Sequence, residues 1–402
     1  MAKPDPIELG LRQFARDRDR KVPLPELVKR KQDKVVVSPL AFLRGSAPLF
    51  YEMLAEHPEL LEGPPDTGHL CGDAHVENFG VFRTDQAKVK GAAADPDHPV
   101  FVFDVNDFDE TVVGPWRFDV LRLLSSVVLA GREFTAGGPQ IIAMLRALLD
   151  AYVGAAFLGR ALPETPLAVL RLLSKADKRT AQQVLDRRTE LVGGTRRFII
   201  GERYLALPPE LAKGARKAFA DYVNGLGDPS HSARFDIVDL AFRIAGTGSL
   251  GTLRIAVLVR GKGDSDGGWL FDMKEEGAPA AVPLCTVDQP DDALRVIAGM
   301  RACLDSPPRL LGTTKLGAMS LLVRRLAPQE DKLDLTRIAK DELLGVARTL
   351  GALLGRAHRR GATAAGTTPW SASELDALID RAVTIAGVHE AAYLAYCKAI
   401  GT

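Results

Sequence analysis

Cysteine is sparse in this chain, with four residues in 402, at positions 71, 285, 303 and 397, and no Cys-x-x-Cys pair. That argues against a disulfide framework, and reduced thiols in a cytoplasmic protein are the expectation. Cys71 reads as a buried strand residue rather than a nucleophile, because no adjacent Lys or Arg lowers its pKa. An excess of charge of one sign is missing too. Lys and Arg total 52 against 51 Asp and Glu, so no global field favours nucleic acid or an acidic membrane, and neither partner is expected. No apolar run reaches the roughly 20 residues that span a bilayer. The polar start, Met1-Ala-Lys-Pro-Asp-Pro, lacks the apolar core of a signal peptide, and no repeat of fixed period occurs. The seven histidines form no Gly-His-x-His cluster. A metallophosphoesterase is therefore disfavoured, although Gly-Asp-x-His with a nearby Asn does occur in two-metal phosphatases.

What is present is an acidic motif. Gly72-Asp73-Ala74-His75-Val76-Glu77-Asn78 sets Asp73 and Asn78 five positions apart, and Asp104-Val105-Asn106-Asp107-Phe108-Asp109-Glu110 follows. Kinase catalytic loops use Asp-x-x-x-x-Asn spacing. There the Asp accepts the acceptor's hydroxyl proton, the Asn reaches a metal on the nucleotide phosphates, and a later Asp, usually before Phe, holds the other metal. Magnesium suits such hard oxygen ligands and shares them with phosphates and water.

Along the chain, residues 1–36 are polar and basic and read as a solvated arm or helix. A helix is expected from Ala47 to His57, and Phe79–Phe82 and Val100–Phe103 read as paired strands. Helices are expected at 139–157, 164–174, 178–191 and 208–225. Residues 236–286 lean to antiparallel strands, followed by a helix near 290–303 and a strand at 319–326. The remainder, 336–401, is helical by periodicity, broken at 361–369. Arg196-Arg197 and Arg324-Arg325 read as surface pairs.

Gly246-Thr247-Gly248-Ser249-Leu250-Gly251 lies between two strand-like runs. Alone this pattern is weak, and its bland reading is a hairpin turn. A dinucleotide fingerprint would lead into a helix, whereas Thr252–Arg260 reads as a strand. Strand, glycine loop and strand is the arrangement with which protein kinases cover ATP phosphates, and the next strand carries a Lys, here Lys274. The order is unusual, because the glycine loop follows the catalytic-loop motif instead of preceding it. A circular permutation accounts for that, and the amphipathic stretch Leu343–Arg360, carrying His358, supplies the helix that would precede the catalytic loop.

Taken together, these residues resemble the bacterial DUF2252 family, grouped with the protein kinase-like and aminoglycoside phosphotransferase-like superfamily. The resemblance rests on Ser38-Pro39 with Phe42-Leu43-Arg44-Gly45, Gly72–Gly80, Asp104–Glu110 with Gly114-Pro115-Trp116 and Asp119, Gly246–Gly251, and Lys274-Glu275. It implies an α+β, bilobal, protein kinase-like fold, circularly permuted. The parts would be a basic arm (1–36), a mainly helical catalytic-loop lobe (37–235), a small antiparallel-strand lobe with the glycine loop and Lys274 (236–328), and a helical return (329–402).

The spacing Asp107-Phe108 to Asp119 matches the phosphotransferases and favours Asp107 over Asp104 as metal ligand. Asp109 stands where a kinase has Gly. No Glu occurs in the 290–303 helix to pair with Lys274, so Asp291, Asp292, Glu275 or Glu276 would substitute. His75 reads as a structural loop residue, Glu77 as a solvent carboxylate or outer ligand, Trp116 as a packing residue, and Arg44 as the partner of Asp73 or of a phosphate. The expected activity is ATP-dependent phosphoryl transfer with Mg2+ to an unknown hydroxyl-bearing small molecule or protein. Asp73 would be catalytic, Asn78 and Asp107 metal-binding, and Gly246, Thr247, Gly248, Ser249, Gly251 and Lys274 phosphate-binding. Nucleotidyl transfer and a non-catalytic nucleotide-binding module are the alternatives.

Overall fold

The computed structural model describes residues 5–20, 26–84, 101–227, 233–248, 250–261 and 268–401. The chain opens with α1 (Pro6–Arg18), α2 (Glu26–Val35), α3 (Pro39–Gly45), α4 (Ala47–Glu56) and the short α5 (Pro58–Leu61). Asp5 and Ser38 cap α1 and α3 through bonds from Ile7 N and Ala41 N, and a proline occupies the first turn of each, where its missing N–H costs nothing. Next come β1 (Thr67–Leu70), β2 (Phe79–Arg83), β3 (Phe101–Val105), β4 (Val112–Pro115), α6 (Arg117–Glu133), α7 (Gly138–Ala156), α8 (Leu167–Asp177) and α9 (Ala181–Asp186). The strand-rich part holds β5 (Thr189–Val192), β6 (Thr195–Phe198), β7 (Tyr204–Leu205), α10 (Pro209–Gly225), β8 (Ile237–Arg243), β9 (Arg254–Val259), β10 (Trp269–Glu276), α11 (Asp292–Cys303), β11 (Gly312–Leu316) and β12 (Met319–Leu326). The chain closes with β13 (Asp331–Lys332), α12 (Leu343–Arg360), β14 (Ala362–Ala364) and α13 (Ala372–Ile400).

This is a mixed α and β protein with antiparallel sheets. The largest sheet has the order β11-β12-β10-β9-β8-β7. Side chains alternate across its faces. One face, with Phe242, Ile255, Val257, Phe271, Met273, Leu321 and Val323, packs on Ala215, Phe219 and Tyr222 of α10. On the other face, Ala241, Ala256, Leu258, Leu270 and Leu326 pack under Val184, Leu185 and Phe198. The ladder continues that second face into charge, with Lys274 opposite Arg254 and Asp272 opposite Arg324. The main core is helical. It is centred on α6, which is buried from Phe118 to Gly131, and is flanked by α7, α12 and α13.

Three expectations change. The helix expected over 178–191 ends at Asp186, and a hairpin follows, because Gly193 and Gly194 adopt φ 56° and 76°, the conformation of a two-residue hairpin turn. Arg196 is buried there against Asp186 and is no surface residue. The basic amino-terminal segment is not a solvated arm either. Leu9, Gln13 and Asp17 of α1 are buried. Asp17 binds Lys31 Nζ at 2.7 Å and the Tyr396 hydroxyl at 2.9 Å, and Arg12 and Arg16 pair with Glu56 and Glu52 of α4. These four charges, Arg12, Arg16, Asp17 and Lys31, are thus spent on partners within the fold. Leu27 of α2 joins the sheet's core while Val35 joins the helical one.

Candidate active site

The motif Gly72–Asn78 leaves β1 as a loop held almost entirely by buried bonds. Gly72 has φ 84°, and a Cβ there would collide with the Glu110 carbonyl oxygen. Only glycine fits this combination of dihedral and close approach. Asp119, in the first turn of α6, accepts from Cys71 N at 2.8 Å, Gly72 N at 3.0 Å and Cys71 Sγ at 3.1 Å. His358 Nε2 lies 3.2 Å from the same carboxylate, and its Nδ1 lies 2.9 Å from the Tyr152 hydroxyl. Trp116 stacks on the His358 ring and is buried, so it packs as its bland reading held. Asp119 therefore fixes the loop's backbone, and α12 braces Asp119. Within the loop, His75 Nδ1 accepts from Glu77 N at 3.2 Å, and the Asn78 side-chain amide donates to the Asp73 carbonyl.

The Asp73 carboxylate is bonded by Arg122 Nε, and Arg122 itself donates to the Leu43 carbonyl at 2.7 Å with its guanidinium over Phe50. Burial raises the Asp73 carboxyl to about 7; Arg122 opposes the shift, while Glu110 and Asp107 reinforce it. A carboxylate that exchanges its proton near neutrality suits general-base work. His75 Nε2 stands 3.8 Å from Asp73, and burial, with Arg44 and Arg122 nearby, holds His75 neutral. Arg44 pairs with Glu77 at 2.8 Å rather than with Asp73.

The second acidic run is stitched to this loop. Asn106 N donates to Asn78 O at 3.0 Å, and the Thr111 hydroxyl donates to Leu70 O. Its carboxylates differ in what they meet. Asp104 takes Arg356 of α12 at 3.1 Å and its neighbour Val105 N at 2.9 Å. Among the described residues Asp107 has one hydrogen bond, a long one of 3.4 Å from Asp109 N. Burial and then Asp109 raise Asp107, while Lys332, Lys274 and Arg324 act against that rise. Asp109 is ion-paired with Lys274, which overrides burial and holds it down at about 2. Lys274 also reaches Glu276 at 3.2 Å. Glu276 was one of the expected substitutes for a helix glutamate, and Asp109 was not.

In place of that glutamate, α11 carries Arg295, which is 1% exposed. It donates to the carbonyls of Thr111 at 2.6 Å, Asp109 at 3.0 Å and Gly277 at 2.9 Å. The helix thus fastens the acidic segment to the end of β10 by backbone bonds. Next to Lys274, Asp272 gathers Arg254, Arg243 at 2.7 Å and Arg324 at 3.9 Å. Arg324 is therefore part of this network, and Arg325 lies over Trp269 at 4.1 Å; neither is a free surface residue.

The glycine loop joins β8 to β9 at the end of the sheet where Arg254 and Lys274 lie opposite each other. Gly246 and Gly251 have φ 84° and 100°, Gly246 and Gly248 are exposed, and Thr247 is half-buried; Ser249 lies outside the described residues. Three of the loop's carbonyls are bonded from the amino-terminal segment. Lys34 Nζ donates to Gly246 O at 2.8 Å, and one Arg20 nitrogen donates to Gly248 O and Leu250 O at 3.0 Å each. The structure thus ties Asp73, Asn78, Asp107, Asp109 and Lys274 into one bonded neighbourhood. The glycine loop stands at its edge, against α3. Sequence reasoning missed Arg122, Arg295, Arg20 and Lys34, whose partners lie 18 to 230 positions away.

Among the described residues no group of three His, Cys, Asp or Glu side chains is arranged to hold a metal, and no helix is long and apolar enough to cross a membrane. Residues 20–399 match a family described as an uncharacterized protein conserved in bacteria. The chain belongs to the DUF2252 family. Neither a curated protein nor a solved structure matches it. The family match spans every residue of the site from Arg20 to His358, so the acidic loop, the glycine loop and their braces all lie inside the DUF2252 region.

Proposed function

We propose that this DUF2252 protein is an ATP-dependent phosphotransferase built on a circularly permuted, bilobal kinase-like plan. The observation that carries the reading is the ion pair of Lys274 with Asp109, two residues from Asp107 and in the segment stitched to the Asp73–Asn78 loop. A sheet lysine brought to an acidic run beside an Asp-x-x-x-x-Asn loop assembles the parts that phosphoryl transfer uses, with Asp109 and Glu276 taking the place of the helix glutamate that pairs this lysine in kinases. The link of α12 through His358 to the carboxylate that holds Cys71 and Gly72 supports the permuted connection.

The residues fit magnesium and a nucleotide. Asp107 and Asn78 offer hard oxygen donors, and the sparse bonding of Asp107 leaves its carboxylate available, whereas Asp104 is occupied by Arg356. Two protein donors fall short of a cage, which suits a magnesium ion that takes phosphate oxygens and water for the rest. Such an ion, when bound, neutralises phosphate charge. The chain's own residues do the remaining work. Asp73 takes up the acceptor's hydroxyl proton at its carboxylate, and Arg122 orients that carboxylate. Lys274 offers its ammonium to phosphate oxygens once Asp109 and Glu276 share it. Catalysis of this kind is mostly positioning and electrostatics.

The test is turnover. The protein, ATP and magnesium are incubated with panels of hydroxyl-bearing small molecules and proteins, and products are weighed by mass spectrometry. Addition of a phosphoryl group supports the proposal. Addition of an adenylyl group moves the activity to nucleotidyl transfer, and nucleotide binding without any product across the panels leaves a binding module.

A further inference from the structure

The loop from Ile244 to Gly251 carries no charged side chain. Its carbonyls at Gly246, Gly248 and Leu250 are nevertheless each bonded by a cation from the amino-terminal segment, Lys34 at 2.8 Å and Arg20 at 3.0 Å. Those two cations are firmly rooted. Behind Arg20, α1 buries Asp17 between Lys31 and Tyr396 of α13. Ahead of Lys34, Leu27 is sealed into the sheet's core and Val35 into the helical core. The carboxylates acting on Arg20 are Asp17, Glu275 and Glu110, one each from the amino-terminal segment, the sheet and the acidic run. Arg20 therefore stands where these three parts meet, with its charge beside a neutral glycine loop.

We infer that the amino-terminal segment is a brace for the glycine loop, and that Arg20 and Lys34 are positioning residues of a polyphosphate site formed with that loop. The ligand class rests on the phosphotransferase reading; the brace does not. A glycine loop held only by its own backbone samples many conformations and loses them on binding. Bonds from two anchored cations reduce that cost and place positive charge beside the anion. Each charged hydrogen bond to a carbonyl is worth more than a neutral one.

The experiment uses full-length protein with Arg20→Ala, Lys34→Ala and the double variant, and Arg20→Lys and Lys34→Arg as conservative rescues. Hydrogen–deuterium exchange is read without ligand for the loop peptide 244–251 and for β9 and β10. Affinity for ATP with magnesium is read by calorimetry. The brace predicts loop exchange about tenfold faster in the double variant, with β9 and β10 unchanged, partial recovery in the rescues, and nucleotide affinity about tenfold weaker. Loop exchange equal to wild type in the double variant overturns the brace. If the double variant loosens the whole sheet, the single variants decide: loop-confined exchange in either supports the brace, and loosening of β9 and β10 in step with the loop overturns it. Wild-type protein that binds no ATP removes the nucleotide reading, while the exchange result still decides the brace.

Discussion

The two glycine turns of the site are built in opposite ways. Around Gly72, every direction is occupied: Glu110 backbone on one side, the Asp119 carboxylate beneath, and the Tyr51 hydroxyl on the Gly72 carbonyl. Around Gly248 the one close atom is the Arg44 carbonyl oxygen, 3.3 Å from where a Cβ would stand, a tight approach but not a collision. The acidic loop is set by buried bonds to α4 and α6, with α12 bracing Asp119 from behind, and the glycine loop by two cations at its edge. This is the division of labour expected where one part must hold reacting groups still and another must admit a ligand.

The largest predicted effects test the rigid half. Asp119→Ala leaves Cys71 N and Gly72 N without a partner and empties a buried anionic position. It should cost about 3–5 kcal/mol in urea unfolding. Gly72→Ala should be of similar severity, because backbone and not a flexible side chain stands in the way. If Asp119→Ala costs less than about 1 kcal/mol, the loop is not held as described.

Lys274→Ala should come next. It leaves the Asp109 carboxylate without its ammonium partner, and Glu276 too. Stability should fall by about 2–4 kcal/mol, and nucleotide binding should fall with it. A variant as stable as wild type would mean that the sheet and the acidic run are not coupled through this pair.

Asp73 gives a pH signature. With its carboxyl raised to about 7 and an unfolded value near 4, the folded protein keeps a proton between those limits that the unfolded chain has lost. Stability should therefore decline as pH rises through that window and level off above it. Asp73→Asn should flatten this slope, and activity should fall below about pH 7 in the wild type, where the base is protonated. A slope unchanged by Asp73→Asn would assign it to another group.

The smallest effect belongs to the open half. Gly248→Ala should change stability by less than about 1 kcal/mol, with its consequence confined to ligand binding. If Gly248→Ala proved as damaging as Gly72→Ala, the contrast between the two turns would be lost.

Local patterns were legible in the sequence, and distant pairings were not. The Asp73–Asn78 loop, the strands on either side of the glycine loop and the helices from Leu343 onward announce themselves by spacing within a few residues. Gly193-Gly194 was also a readable signal, a two-glycine hairpin turn hidden by helical periodicity on its amino-terminal side. Lys274 and Asp109 lie far apart in the chain, and nothing local to either names the other. Arg295 shows the same limit: the absence of a helix glutamate was visible, but not that an arginine fastens the same segment through carbonyls. The charge-rich amino terminus looked solvated because its partners, Glu52, Glu56 and Tyr396, belong to other helices.

The most direct measurement of the central claim is a calorimetric titration of ATP, with and without magnesium, into wild type, Asp107→Ala and Asp104→Ala, each shown to be folded. The account predicts magnesium-dependent binding in wild type, its loss in Asp107→Ala, and its retention in Asp104→Ala, whose carboxylate serves Arg356. Binding by Asp107→Ala with undiminished magnesium dependence, or none by wild type, would contradict it.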